Sequence, residues 1–259
     1  MRSFLLFTSL FFFTAACAPN ASNDPTTKAA PSLDSKQVSS LLDVASPQEV
    51  AAELGLAAMS DDQVPEFFPG DLSHSSIEQH NQAAGIDVTQ HFPVVVVINK
   101  AARGPTAQTM KVYHRGQLSY TFAVSTGRET EENSTKSGRV YFSTTPTGWY
   151  SPTRTYEKYH STLWEADMNN SVFFNGGIAM HATTKDHFPQ LGGRASGGCV
   201  RLHPTNAKIV YDLVLAEGKG EVPVFTRTGQ VTIEGFWRKK VKTENNWNTL
   251  IVVEDREGE

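Results

Sequence analysis

Apolar positions fall into short runs separated by Gly, Pro, Asn and Asp, the spacing of many strands rather than a few long helices. The sharpest run is Val94 to Asn99. Its unbroken Val-Val-Val-Val-Ile shows no alternation, which predicts a strand buried on both faces. Gln108 to His114, Gln117 to Ser125, Val140 to Thr144, Ser171 to Phe174 and Gly176 to His181 read as further strands, with a tight hairpin turn at Arg115-Gly116. After Cys199 the period changes. Pro204 suits the first turn of a helix, Ala207, Ile209, Val210, Leu213 and Val214 form its apolar face, and Gly218 ends it. Val222 to Arg227 returns as a strand, and Val231 to Arg238 and Thr249 to Glu254 could add two more. The pattern predicts a mostly β domain with a short helix after Cys199.

The chain before Pro93 is patterned differently. Residues 1–16 carry one early charge, Arg2, and then the apolar run Phe4 to Phe13, too short to span a bilayer, which reads as a signal peptide. Thr14-Ala15-Ala16-Cys17 resembles the lipobox of bacterial lipoproteins, and this resemblance implies that Cys17 is a lipid anchor. Ala16-Cys17-Ala18 could equally serve as an A-x-A cleavage site, leaving a soluble periplasmic protein. The anchor, if used, places the protein on a membrane, outer or inner. Residues 17–36 are dominated by Pro, Ser, Thr, Asn, Asp and Ala and read as a tether. Residues 37–92 form an N-terminal arm. Val38, Leu41, Leu42, Val50, Leu54 and Leu56 predict two short helices, the second capped by Ser46, and Asp61 to Asp87 reads as an irregular lead-in. Residues 93–227 then hold the strand-rich main domain, and 228–259 form a C-terminal extension whose role the pattern leaves open.

Charge narrows the function. A chain of 259 residues with 23 basic and 27 acidic side chains, net -4, has no basic field to attract nucleic acid. Cys17 and Cys199 lie in contexts too different to suggest a disulfide. His74, His80, His91, His114 and His160 are scattered, and neither His-Glu-x-x-His nor Cys-x-x-Cys occurs, so no metal site is expected.

The chemistry concentrates in Ile178-Ala-Met-His181 and in Ser196-Gly197-Gly198-Cys199-Val-Arg201. A thiol attacks as thiolate, so a nucleophilic cysteine needs a nearby imidazole, and flanking glycines let backbone amides approach a substrate carbonyl. A histidine ending a strand and a cysteine at the entrance to the following helix can meet across one cleft, although 18 positions separate them; the helix start would also favour the thiolate. His187 and His203 end no strand and are set aside as bases. Read instead as structural, Cys199 would be a small buried hydrophobe, which its glycines and Arg201 argue against. Tyr150, Tyr156 and Trp164, in Thr147 to Met168, form either a wall of the cleft or exposed packing.

These motifs resemble the L,D-transpeptidase (YkuD-type) family, in which a histidine after a short apolar strand precedes a Ser-x-Gly-Cys-x-Arg signature by some 15 to 20 residues. His181, Ser196, Gly198, Cys199 and Arg201 fall on those positions, and Val124-Ser-Thr-Gly127 and Thr145-Pro-Thr-Gly148-Trp resemble two further signatures. Two positions depart from the pattern: Ala182 stands where the family commonly has Gly, and Gly197 where it has a second histidine. The resemblance implies a YkuD-like β-sandwich or barrel and a cofactor-free enzyme, monomeric and acting on peptidoglycan stem peptides. Cys199 would be its nucleophile and His181 its base. Ser196, Gly197 and Gly198 would form the site loop, with the Gly198 and Cys199 N–H groups at the oxyanion. Arg201 would either hold a substrate carboxylate or brace the loop, and Arg194 would touch substrate. The implied reaction is a 3-3 crosslink through a Cys199 thioester with loss of D-alanine, and carbapenems would acylate the same thiol. An L,D-carboxypeptidase, a hydrolase, or a wall-binding lipoprotein with a weakened site remains open beside it.

Overall fold

A computed structural model describes residues 46–57, 77–162 and 166–258. Its two main sheets are built from β1 (Val94–Asn99), β2 (Thr109–His114), β3 (Gln117–Ala123), β4 (Gly148–Tyr150), β5 (Arg154–Tyr156), β6 (Ser171–Asn175), β7 (Ile178–Ala182), β8 (Val200–Leu202) and β9 (Thr249–Glu254). Three helices join them: α1 (Pro47–Leu54), α2 (Ile77–Ala84) and α3 (Pro204–Glu217). The five-stranded sheet has the order β3-β2-β1-β9-β4 and the four-stranded sheet β8-β7-β6-β5. The fold is mostly β, and among the described residues no barrel closes; Ser125, just past β3, bridges to Arg201 of β8 and ties the sheets together at one corner.

Strand alternation decides what lies between the sheets. Val94, Val96 and Ile98 of β1, Ile251 and Val253 of β9, and Val172, Phe174, Ile178, Met180, Val200 and Leu202 of the second sheet form one buried core with Ala207, Val210 and Val214 of α3. The opposite face of the five-stranded sheet, with Val95, Val97, Leu250 and Val252, is covered by Phe92 and by Ala83 and Ala84 of α2. That accounts for the unbroken valine run: every residue of β1 is buried. The hairpin turn also forms as expected, with Arg115 and Gly116 both at positive φ, 51° and 79°. α3 starts at Pro204 and ends at Gly218.

Two expectations are corrected and one open question is answered. The lead-in read as irregular contains α2, whose buried residues are His80, Ala83 and Ala84; the single polar histidine on that face hides the helical period. His80 lies under Glu254, 3.6 Å away, and 5.8 Å from the Trp149 ring. The C-terminal extension is an integral part of the fold. Thr249–Glu254 is fully buried and lies between β1 and β4, parallel to β1 with Val94 opposite Thr249. Of Val231 to Arg238 only Ile233–Glu234 pairs as a strand, with Lys240–Val241, and Phe236 and Trp237 stand exposed at the tip.

The second arm helix forms where Ser46 predicts it. Ser46 and Glu49 make a reciprocal capping box at the start of α1, and Gly55 closes its other end in the left-handed conformation. The first arm helix, the leader, the tether and Cys17 lie outside the described residues. Eight residues are too few to hold a helix in water. Burying Val50 contributes about 1.5–3 kcal/mol, while ordering each backbone residue costs roughly 1–2 kcal/mol, so α1 persists only through its contacts with the sheet beneath.

Candidate functional site

β7 and β8 run side by side in parallel, with Met180 opposite Val200, His181 opposite Arg201 and Ala182 opposite Leu202. Side chains alternate across a strand. Ile178, Met180, Val200 and Leu202 therefore enter the core, and His181, Arg201 and Cys199, two residues before Arg201, share the outer face. Residues distant in sequence thus become neighbours through strand register. Cys199 leads into the strand β8, and α3 begins only at Pro204. This corrects the expectation that the cysteine opens a helix. A helix terminus acts only within its first turn, so α3 is not placed to favour the thiolate.

His181 is 7% exposed and its Nδ1 lies 2.8 Å from the Ala182 carbonyl oxygen. A carbonyl only accepts, so Nδ1 carries the proton and the neutral ring keeps Nε2 as its basic nitrogen. Cys199 is 3% exposed, and its thiol donates weakly to the Gly177 carbonyl at 3.7 Å.

The loop before Cys199 is tightly tied. Ser196 Oγ accepts the Gly198 N–H at 3.0 Å and donates to the Cys199 carbonyl at 2.5 Å. Thr145 Oγ1 donates to the Gly198 carbonyl at 2.7 Å and accepts the Gly127 N–H at 3.0 Å. Gly198 has φ +140°, and a Cβ there would meet the Thr144 carbonyl oxygen at 2.8 Å, so both backbone and space demand glycine. Gly197 is buried beside it. The two upstream signatures thus converge on the nucleophile loop: the segment holding Thr126 and Gly127 hydrogen-bonds Ala195 and Ser196, and Thr145 holds Gly198. Thr145 was legible only as part of Thr145-Pro-Thr-Gly148, since a lone threonine carries no such signal. One expectation changes here. The Gly198 N–H, half of the expected oxyanion pair, is engaged by Ser196 in this conformation.

Both arginines brace the site. Arg201 is buried and donates to Gln190 Oε1 at 3.0 Å and the Ala195 carbonyl at 3.3 Å, the bracing alternative of the two expected. Arg194 donates to the Lys100 carbonyl at 2.8 Å and to Asp255 at 3.0 Å, tying the loop to the end of β9. His203 caps α3 by accepting the Thr205 N–H at 3.4 Å, and His187 Nδ1 lies 2.8 Å from Thr184 Oγ1.

The aromatic residues divide. Tyr150 belongs to the inner core, and burial raises its phenol despite the Arg227 guanidinium over its ring. Tyr156 stacks on Tyr159 on the outer side, and both pack against the cluster that contains Cys199. Burial, then the Glu53 charge, pushes Tyr159 up to about 12. Trp164 lies outside the described residues. Among the described residues no group of His, Cys, Asp and Glu is placed to hold a metal ion, and no helix is long and apolar enough to cross a membrane.

α1 lies on this same outer face. Val50 shares a buried cluster with Cys199, Ala179, Phe173 and Met168, and Leu54 and Leu56 pack against it. No motif announced this contact.

Several solved L,D-transpeptidases resemble the chain. One from Xylanimonas cellulosilytica is 18% identical over 79% of this chain and 68% of its own, with a TM-score of 0.41. One from Mycobacterium tuberculosis is 16% identical over 63% and 58%, with a TM-score of 0.40. The LD transpeptidase LdtMt1, in complex with imipenem, is 15% identical over 62% of this chain, with a TM-score of 0.39, and this chain spans only 59% of it. Such distant likenesses assign no residue role. No curated protein matches the chain. The model of the YkuD family, L,D-transpeptidase catalytic domains, matches residues 93–244, more than half of the chain. On that match the chain belongs to the YkuD family of L,D-transpeptidase catalytic domains.

Proposed function

We propose that the protein is a peptidoglycan L,D-transpeptidase with Cys199 as nucleophile and His181 as general base. The observation that carries this reading is the parallel register of β7 and β8, which sets the two side chains on one face, with His181 Nδ1 directed at the Ala182 carbonyl. Sγ passes its proton to Nε2 and attacks the carbonyl carbon of an L-centred residue in a tetrapeptide stem. The tetrahedral intermediate collapses, the C–N bond breaks, and the departing D-alanine amine takes the proton back. A thioester on Cys199 remains. An amine of a second stem then attacks it, His181 removes the amine proton, and Sγ leaves with its electron pair to be reprotonated. Water in place of the amine gives carboxypeptidase activity. The Cys199 N–H is the oxyanion donor in this scheme, joined by Gly198 only if its bond to Ser196 opens.

The protein acts, in this proposal, outside the cytoplasm, held to a membrane through Cys17. Fatty-acid labelling that is lost in Cys17→Ser tests the anchor; unlabelled protein in the soluble periplasm overturns it. Mass analysis of tetrapeptide muropeptides after incubation tests the reaction. Crosslinked dimers lacking one D-alanine are expected, trimmed stems would assign hydrolysis, and unchanged stems together with failure of every carbapenem to add to Cys199 would overturn a catalytic role.

A further inference from the structure

A nucleophile must reach its substrate, yet Cys199 is only 3% exposed, and the chain's own arm packs into the cluster around it. Val50 of α1 is fully buried in the cluster that holds Cys199. The seat is close. A Cβ on Gly177 would lie 2.1 Å from the Pro47 carbonyl oxygen and 2.8 Å from Val50 Cβ, and one on Gly198 would lie 3.2 Å from Pro47 Cγ. Gly177 also supplies the carbonyl that faces the Cys199 thiol. The two glycines flanking the thiol therefore form a shallow trough into which a backbone can be laid, and the backbone laid there is that of Pro47 to Ala51.

Polar contacts clip the helix at its edges. Ser134 Oγ donates to Glu49 at 3.1 Å, Arg154 donates to the Leu54 carbonyl at 2.6 Å, and Thr162 donates to Glu53 at 3.0 Å. Burial alone would raise the Glu49 carboxyl, but hydrogen bonds from Ser137, Ser46 and Ser134 outweigh it and hold the group down at about 2. These clips lie at the margins of the helix, whereas the centre of the seat is apolar. An eight-residue helix held this way can detach without unfolding the sheets, whose core is separate.

We infer that the strip around Cys199, floored by Gly177, Ala179 and Gly198 and walled by Phe173 and Met168, is a peptide-binding groove, and that segment Ser46–Leu56 is its resident intramolecular occupant. An entering peptide must displace that segment, so the protein rests in a covered, slow state. The inference rests on the reading of Cys199 as nucleophile.

The test uses the full chain carrying Cys17→Ser, in which Cys199 is the sole thiol. The rate of N-ethylmaleimide addition and the turnover of tetrapeptide muropeptide are measured for this protein and for Val50→Asp, which places a charge in the apolar seat. Addition should rise about tenfold or more in Val50→Asp, and about two- to fivefold in Arg154→Ala, which removes an edge clip together with a weaker bond to Tyr156, because each raises the population of the opened state. Turnover should rise in parallel. Equal addition rates in folded variants would overturn the inference. Faster addition with turnover lost from a previously active protein would also overturn it, by making α1 a wall of the working site. Faster addition with no turnover in any variant would uphold the cover and defeat the catalytic reading instead. Should Val50→Asp fail to fold, Arg154→Ala decides the matter by the same comparison.

Discussion

The two faces of the four-stranded sheet are made by alternate residues of the same strands, and they differ in almost everything. The inner face is Val172, Phe174, Ile178, Met180, Val200 and Leu202, all at most 3% exposed, closed by a second sheet and α3. The outer face carries Phe173, Ala179, His181, Cys199 and Arg201, and the short helix α1 packs into the cluster around Cys199. The inner cover is part of the core and cannot leave without unfolding the domain. The outer cover is a docked segment. In the reading proposed above, one strand pair supports permanent packing on one side and a site that can be opened on the other, with the pleat keeping them apart.

The largest effects should come from the outer face. Cys199→Ala is expected to abolish turnover and carbapenem addition while leaving the urea midpoint within experimental spread, because only the attacking atom is lost. His181→Ala should lower kcat by about 10²–10⁴, the usual worth of a general base, whereas His187→Ala should retain most activity. A variant series ranking His187 above His181 would reverse the assignment of the base.

The inner face should answer in stability. Met180→Ala, one residue from His181 but pointing into the core, should cost about 2–5 kcal/mol in denaturant unfolding and leave the kcat of the folded fraction nearly unchanged. A loss of kcat with no loss of stability would show that the two faces are not separable.

Ser196→Ala sharpens the comparison, because Ser196 positions the loop at the boundary between the faces. Removing its bonds to Gly198 and Cys199 should cost about 1–3 kcal/mol of stability and about tenfold in kcat. A rise in kcat would mean that the Gly198 N–H, once released, is the better oxyanion donor. The smallest effect is expected for His203→Ala, a cap on α3 distant in role from the reaction, with about 0.5 kcal/mol lost and turnover within twofold.

Local signals read true where one residue type has one cause. Val94 to Asn99 forms a strand buried throughout, Arg115-Gly116 turns, Ser46 caps α1, and Pro204 and Gly218 bound α3. The strand before His181 was equally clear. Signals failed where a partner decided the outcome. α2 was missed because buried His80 looks polar until Glu254 and Trp149 are set beside it. The bond from Arg194 to Asp255 gave no signal because the two lie 61 residues apart.

The sequence by itself determined that the protein is mostly β and that a capped helix precedes the domain, and it singled out His181 and Cys199 as the chemical pair proposed above. Period, turn chemistry and motif order are local properties, and they survive in a linear reading. Only the tertiary structure decided that Cys199 leads into a strand rather than a helix, that Thr249–Glu254 lies beside β1 in the sheet, and that α1 packs into the buried cluster that holds Cys199. Each of those depends on which surfaces meet. Apolar burial is non-directional: it requires that Val50 and Val252 be covered, and leaves the choice of cover to the whole chain.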